Sequence, residues 1–187
     1  MSPHFFASPA EFREWLRENH AVATELWVGY HKKKTGRPSL TWEQSVEQAL
    51  CFGWIDGIRK PVDEERFTIR FTPRKPKSGW SKINVEKAKQ LIEQGVMEEA
   101  GLREVKAAQS DGRWEAAYNP PSMSETPYDL QVELEANPEA LAFYKTLSKR
   151  NLYTIHYRLE TAKRPETRQK RLREFIEMFL QGKKPYP

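Results

Sequence analysis

Between residues 66 and 72 the chain alternates between apolar and polar side chains without a break. The apolar positions are Phe67, Ile69 and Phe71. This period of two is typical of a β-strand that buries one face. A second extended segment, 54–60, precedes it, and the charged turn 61–65 separates the two. The sequence therefore predicts an antiparallel hairpin with its arginines turned outward, and the apolar face of that hairpin needs a cover of helices.

Helix-start signals in the same part of the chain predict helices that could cover this face. Ser8 and Thr41 are each followed three residues later by Glu or Gln, which is the pattern of a capping box. Ser81 begins a third helix, and a fourth follows from about Glu98. The third helix is expected to bury Val85, Ala88 and Ile92. With a further strand at 26–31, these elements predict a small antiparallel sheet covered by helices.

The stretch 119–127 is rich in proline and serine, which is typical of a linker. Residues 1–118 carry the strands and helices described above, whereas residues 128–187 show only helical periodicity. Helix starts in this second part are marked by Asn137, Ser148 and Pro165. The last helix is expected to bury Leu172, Phe175, Ile176 and Phe179. We therefore predict the α+β class, with a first domain, a linker and a helical C-terminal module.

Composition limits the class of protein. Six Trp, seven Tyr and nine Phe provide large apolar surfaces, and such a content argues against intrinsic disorder. No run approaches the ~20 apolar residues of a membrane-spanning helix, and the first residues do not resemble a secretory signal. The single cysteine, Cys51, lies in an apolar run and is expected to be buried. We therefore expect a protein of the reducing cytoplasm without membrane insertion.

The net charge of +5 is unevenly distributed along the chain. Residues 70–89 hold seven basic side chains and one acidic one, and residues 149–187 hold eleven basic and four acidic ones. Between them, residues 91–148 hold four basic and eleven acidic ones. Two interpretations remain open: the acidic and basic parts attract each other inside the fold, or the basic regions form a surface for phosphate or another anion.

The segment 53–57, Gly-Trp-Ile-Asp-Gly, lies where a helix ends and a strand begins. Its simplest interpretation is structural, with Gly53 ending the helix and Asp56-Gly57 forming a bulge or turn. The alternative is that Asp56 faces a pocket and binds a polar group. On that alternative, the predicted ligand-binding residues are Tyr30, Trp54, Asp56, Arg70, Arg74, Trp80 and Asn84.

Basic side chains near Trp80 also suit a nucleotide, because cations pair with phosphate and aromatic rings stack on bases. The candidates for anion binding or for an interface are Lys75, Lys82, Arg168 and Arg171. Each also has a plainer interpretation, since lysine-rich turns are usually solvated and a buried Trp80 would belong to the core. For the basic face around Arg168, a structural ion pair with the acidic stretch is the favoured interpretation.

The sequence lacks the signatures of several common enzymes. The four histidines are far apart and do not pair with Cys51, so we expect no metal site. No G-x-S-x-G, G-x-x-x-x-G-K-[ST] or G-x-G-x-x-G motif occurs. Zinc hydrolases, P-loop NTPases and dinucleotide-dependent oxidoreductases are therefore not leading interpretations, and we predict no cofactor.

Several uncommon short sequence motifs occur in order along the chain. They are Gly36-Arg37-Pro38-Ser39, Cys51-Phe52-Gly53-Trp54-Ile55-Asp56-Gly57, Arg70 to Arg74, and Glu166-Thr167-Arg168. With Trp27 and Trp80, they make the chain similar to the YdeI/OmpD-associated family, also called bacteriocin-protection proteins, from about Phe5 to Lys184. One departure is His156-Tyr157-Arg158, where similar proteins often carry an apolar or aromatic residue.

The resemblance implies protection from bacteriocins and association with an outer-membrane porin, and it implies no established reaction. We therefore favour a non-enzymatic stress-protection protein that binds a protein partner or a small anionic ligand. One alternative is a nucleic-acid-binding module that uses residues 70–89. Another is an enzyme of unfamiliar type with Asp56, Arg70 and Trp80 facing its pocket.

Overall fold

The predicted hairpin lies at one side of a four-stranded sheet. The computed structural model describes residues 3–119 and 125–186, which fall into two units, one ending at Ala117 and the other beginning at Tyr118. Most of the predicted linker, residues 120–124, lies outside the described residues. In the first unit the strands are β1 (His4–Phe5), β2 (Leu26–His31), β3 (Trp54–Pro61) and β4 (Arg66–Pro73). The helices are α1 (Pro9–Asn19), α2 (Trp42–Cys51), α3 (Lys82–Glu93) and α4 (Glu99–Ser110).

The strand order is β1-β2-β4-β3, and the predicted hairpin β3–β4 is antiparallel. Val28 of β2 pairs with Ile69 of β4, and Tyr30 pairs with Phe67. Ile69 and Phe71 are buried, as the alternation predicts, whereas Phe67 is only partly buried. On the other face Thr68 is also buried, and its hydroxyl donates to the Val28 carbonyl at 2.9 Å.

The three predicted strands pair antiparallel as expected, but the sheet is mixed, because a fourth strand, β1, pairs parallel with β2. The sequence did not reveal β1, since two residues are too few to carry a periodic pattern. The Phe5 ring covers Gly29, where a Cβ would lie 2.6 Å from ring atoms. The absence of a side chain at Gly29 therefore lets β1 dock closely against the sheet.

The predicted caps form as expected at three helices of the first unit. Ser8, Thr41 and Ser81 each accept a hydrogen bond from the backbone N–H three residues later. The expected inward face of α3 is partly wrong, because Leu91 is buried and Ile92 is 39% exposed. Both positions continue the spacing from Val85 and Ala88, so the pattern alone did not separate them.

The second unit contains only helices among its described residues. They are α5 (Tyr128–Ala136), α6 (Pro138–Tyr144), α7 (Lys149–Glu160) and α8 (Pro165–Leu180). The predicted apolar positions of α8 are buried in a core with residues of α5, α6 and α7. Ser148 caps α7 as predicted. Asn137 does not cap α6, because its side-chain amide donates instead to the Glu133 carbonyl at 2.8 Å.

Within the described ranges, every helix is too short or too polar to cross a lipid bilayer.

Helix α4 approaches α2 so closely that only glycine fits at the crossing. A Cβ at Gly101 would lie 2.6 Å from the Leu50 carbonyl oxygen and closer still to that of Cys51. We expect Gly101→Ala to destabilise the first unit by about 1–3 kcal/mol, because overpacking against backbone cannot be relieved by a rotamer change. At an exposed helical glycine, substitution by alanine would instead increase the free energy of unfolding.

The measurement is denaturant unfolding followed by tryptophan fluorescence, because all six tryptophans precede Ala117 and report on the first unit alone. Lys106→Ala, at an exposed position of the same helix, is the control and should change stability by less than about 0.5 kcal/mol. A Gly101→Ala protein as stable as the control would contradict the close approach.

Candidate functional site

A cleft of about 680 Å³ opens over the helix-covered face of the sheet in the first unit. Its floor is made by Tyr30, Phe67 and Ile69, and its walls are the segment 32–43 and the β3 residues 56–59. A volume of this size is within the range of small-molecule sites.

A β-bulge shapes one wall of the cleft. The β3–β4 register shifts between Asp56, which pairs with Phe71, and Arg59, which pairs with Ile69. In a regular strand, residues three apart point to opposite faces, but the additional residue brings both onto the same face. The predicted bulge at Asp56-Gly57 is therefore confirmed. Gly53 ends α2 with a φ of 72°, as the structural interpretation of this segment requires.

Three planar groups are stacked beside the cleft. The rings of Tyr30 and Phe67 are parallel within 11°, with centroids 4.9 Å apart. The guanidinium carbon of Arg59 lies 3.9 Å from the centroid of the Phe67 ring. Attraction between the cation and the ring, together with the bulge, holds Arg59 over the apolar floor.

The opposite wall is polar and begins at the first turn of α2. The Trp42 Nε1–H donates to Asp56 Oδ2 at 3.0 Å. The hydroxyls of Tyr30 and Ser45 lie 2.6 Å apart, and Ser45 donates to the Trp42 carbonyl. Burial, and then the charges of Asp56 and Glu43, raise the pKa of the Tyr30 phenol well above its usual value, so it remains a neutral hydrogen-bonding group.

Four basic side chains line the cleft, and they differ in their partners. Lys32 is held by the hairpin turn, because its ammonium donates to the carbonyls of Asp63 and Glu64. Among the described residues, Lys33, Arg37 and Arg59 make no ion pair. These three cations are exposed and are therefore available to an anion in the cleft.

Of the seven predicted ligand-binding residues, Tyr30 and Asp56 line the cleft, and the structure does not bring the others to it. Trp54 is 1% exposed in the core, where its indole N–H donates to the His20 carbonyl. Arg70 forms an ion pair with Glu25 at 2.7 Å. Asn84 lies in the first turn of α3, with its backbone N–H donating to Ser81 Oγ.

Arg74 and Trp80 stabilise the loop that follows β4. Arg74 is buried, donates to the Gly79 carbonyl at 2.8 Å and lies over the Trp80 ring at 3.9 Å. Trp80 is 1% exposed and packs against Trp114. Its ring is therefore not accessible for stacking on a base. Lys75 and Lys82 are exposed and lie outside the cleft.

The two predicted anion-binding or interface residues of the second unit both form hydrogen bonds within that unit. Arg168 forms a bidentate pair with Asp129, with distances of 2.6 and 2.8 Å, and also donates to the Leu159 carbonyl. Arg171 donates to the Arg158 carbonyl. The bidentate pair links the basic C-terminal region to the acidic stretch before Ser148, which is the favoured structural interpretation of this face.

The cleft residues that sequence reasoning did not assign to a site include Lys33, Arg37, Trp42, Arg59 and Phe67. Phe67 was assigned to the buried strand face, and Arg59 was treated as an ordinary strand position. The available signal was Asp56-Gly57, since a bulge there brings Arg59 onto the face of Asp56.

In the part of the chain that the structure describes, no group of three or more His, Cys, Asp or Glu side chains is placed to hold a metal ion.

Comparisons with known families divide the chain in two. Residues 4–104 match a family described as a domain of unknown function, DUF8412. Residues 124–182 match the family described as Bacteriocin-protection, YdeI or OmpD-Associated. The resemblance to this second family is thus confirmed for the C-terminal part rather than from Phe5 onward. No curated protein and no solved structure matches the chain.

The Arg168–Asp129 pair predicts a pH dependence for the second unit. Hydrogen bonds from Arg168 hold the pKa of Asp129 below its usual value. The stabilisation is therefore complete above the unfolded-state pKa of about 3.9 and is lost as the pH falls through the lower folded-state pKa. We expect Asp129→Asn to cost about 1–2 kcal/mol at neutral pH and to reduce the loss of stability below about pH 4.

Thermal unfolding followed by far-ultraviolet circular dichroism measures both effects, and tryptophan fluorescence identifies the transition of the first unit. Glu133→Gln, at an exposed carboxylate on the same helix, is the matched control. Equal acid sensitivity in Asp129→Asn and in the control would show that this pair does not stabilise the unit.

Proposed function

Since the chain belongs to the DUF8412 family and its residues 124–182 match the YdeI/OmpD-associated family, we propose that it contributes to protection against bacteriocins or related stress by binding a small anionic ligand in the cleft. The observation that carries this proposal is a set of three cations, Lys33, Arg37 and Arg59, that form no ion pair with any described residue and lie beside an apolar floor. We propose the cytoplasm as the compartment, with which the unpaired thiol of Cys51 is compatible.

The cleft supports binding of an anion that also carries a flat apolar part. Arg59 can donate hydrogen bonds to a carboxylate, sulfonate or phosphate through the edge of its guanidinium while its face rests on Phe67. Contact with Phe67, which is partly exposed, removes ligand apolar surface from water, and this contributes roughly 25 cal/mol per Å². Charge and apolar contact thus act on the same ligand.

Binding rather than catalysis is the function that these residues support. The stacked aromatic rings fix the floor and the hydrogen bond from Trp42 to Asp56 joins the two walls, so this part of the cleft needs little ordering when a ligand enters. A nucleic-acid function has less support, because Trp80 is inaccessible and Arg70 is paired with Glu25.

A fluorescent anion tests the proposal directly. Anilinonaphthalene sulfonate carries a sulfonate and flat rings, and its emission rises when it leaves water. We expect the wild-type protein to bind it and Arg59→Ala to bind it about tenfold more weakly, because one charge-assisted contact is lost. Arg37→Ala should have a similar effect, and the affinity should fall as salt rises.

Arg103→Ala is the matched control, because it removes an exposed arginine from α4 outside the cleft. The probe should bind this variant as it binds the wild type. If Arg59→Ala and Arg103→Ala bind the probe equally well, the cleft is not the anion site.

The cellular part of the proposal requires a separate measurement. Cells lacking the protein, then supplied with wild type, Arg59→Ala or Arg103→Ala, are challenged with a bacteriocin. We expect survival with wild type and with Arg103→Ala but reduced survival with Arg59→Ala. If an Arg59→Ala protein that no longer binds the anion still protected the cells fully, anion binding in this cleft would not be the cause of protection.

A further inference from the structure

We infer that the ligand of this cleft is amphoteric, meaning that besides its anionic group it carries a hydrogen-bond-donating nitrogen that Asp56 binds. This inference rests on the proposed function, because it assigns a second polar group of the same ligand. Asp56 is then the residue that selects among anions of similar size and shape.

The first observation is the state of the Asp56 carboxylate. The Trp42 indole donates to Oδ2, and among the described residues Oδ1 accepts no hydrogen bond. A carboxylate held by one oxygen is oriented, and its other oxygen remains free to accept a hydrogen bond from an N–H. The bulge turns this carboxylate toward the cleft rather than toward the opposite face of the sheet.

The second observation is that opposite charges line one cleft without pairing. Asp56 and Glu43 are acidic, and Lys33, Arg37 and Arg59 are basic, yet no ion pair joins any of them within the described residues. Arg59 is held on Phe67 and Asp56 is held by Trp42, so these two charges are kept apart by separate contacts. A molecule that carries both an anionic group and an N–H donor can satisfy both, whereas a simple anion leaves the Asp56 carboxylate without a ligand partner.

The third observation is the apolar surface that lies beside these charges. Phe67 is the partly exposed ring of the cleft, whereas Tyr30 is 1% exposed and its hydroxyl hydrogen-bonds to Ser45. The chemistry that fits is an aromatic molecule that carries both an anionic group and an N–H donor. An aromatic amino acid and a nucleoside monophosphate with an exocyclic amine both have this chemistry.

Two pairs of probes, each differing by one nitrogen, test the inference by calorimetry on the full chain. One pair is tryptophan and indole propionate, and the other is adenosine monophosphate and purine riboside monophosphate. In the wild type we expect the nitrogen-bearing member of at least one pair to bind about tenfold more tightly than its partner. The pair that shows the preference identifies the source of the ligand.

In Asp56→Asn we expect that preference to disappear, while the member without the nitrogen binds at least as well as before. The amide oxygen that this substitution introduces still accepts a hydrogen bond from Trp42, but the negative charge that attracts a cationic or polarised N–H is lost. Glu18→Gln, at an exposed carboxylate on α1 outside the cleft, controls for net charge and should keep the preference.

The outcomes separate the two proposals. If neither pair shows a preference, or if the preference persists in Asp56→Asn, the amphoteric ligand is excluded, while Arg59-dependent binding of the sulfonate probe still supports the anion site. If the sulfonate probe itself fails to bind in an Arg59-dependent manner, the proposed function fails, and this inference fails with it.

Discussion

The one-residue shift between β3 and β4 determines the candidate site more than any other feature of the first unit. Without it, Asp56 and Arg59 would point to opposite faces of the sheet. With it, both side chains reach the face that α2 covers, one beside Trp42 and the other over Phe67. The site therefore depends on backbone register first and on side-chain identity second.

The positive charge of the chain is divided between internal contacts and the cleft. Arg70, Arg74 and Arg168 are held by protein groups, namely Glu25, the Gly79 carbonyl with the Trp80 ring, and Asp129. The cations near the floor of the cleft come from the 32–37 turn and from the bulge, outside both of the strongly basic regions. A local excess of lysine and arginine in the sequence was thus a poor guide to where an anion can bind.

Much of the fold was predictable because its signals are local. Caps at Ser8, Thr41, Ser81 and Ser148 and the alternation in β4 each depend on residues a few positions apart. The parallel strand β1 was not predictable, because its two residues are specified by contact with Gly29 rather than by their own pattern. The site was only half predictable for the same reason: Asp56-Gly57 signals a bulge, but the partner of Arg59 lies on another strand.

Because the Phe5 ring rests on Gly29, the size of the residue allowed at either position depends on the residue at the other. A larger residue at position 29 would displace the ring from the strand, and this contact would be lost. Related chains should therefore tend to change these two positions together.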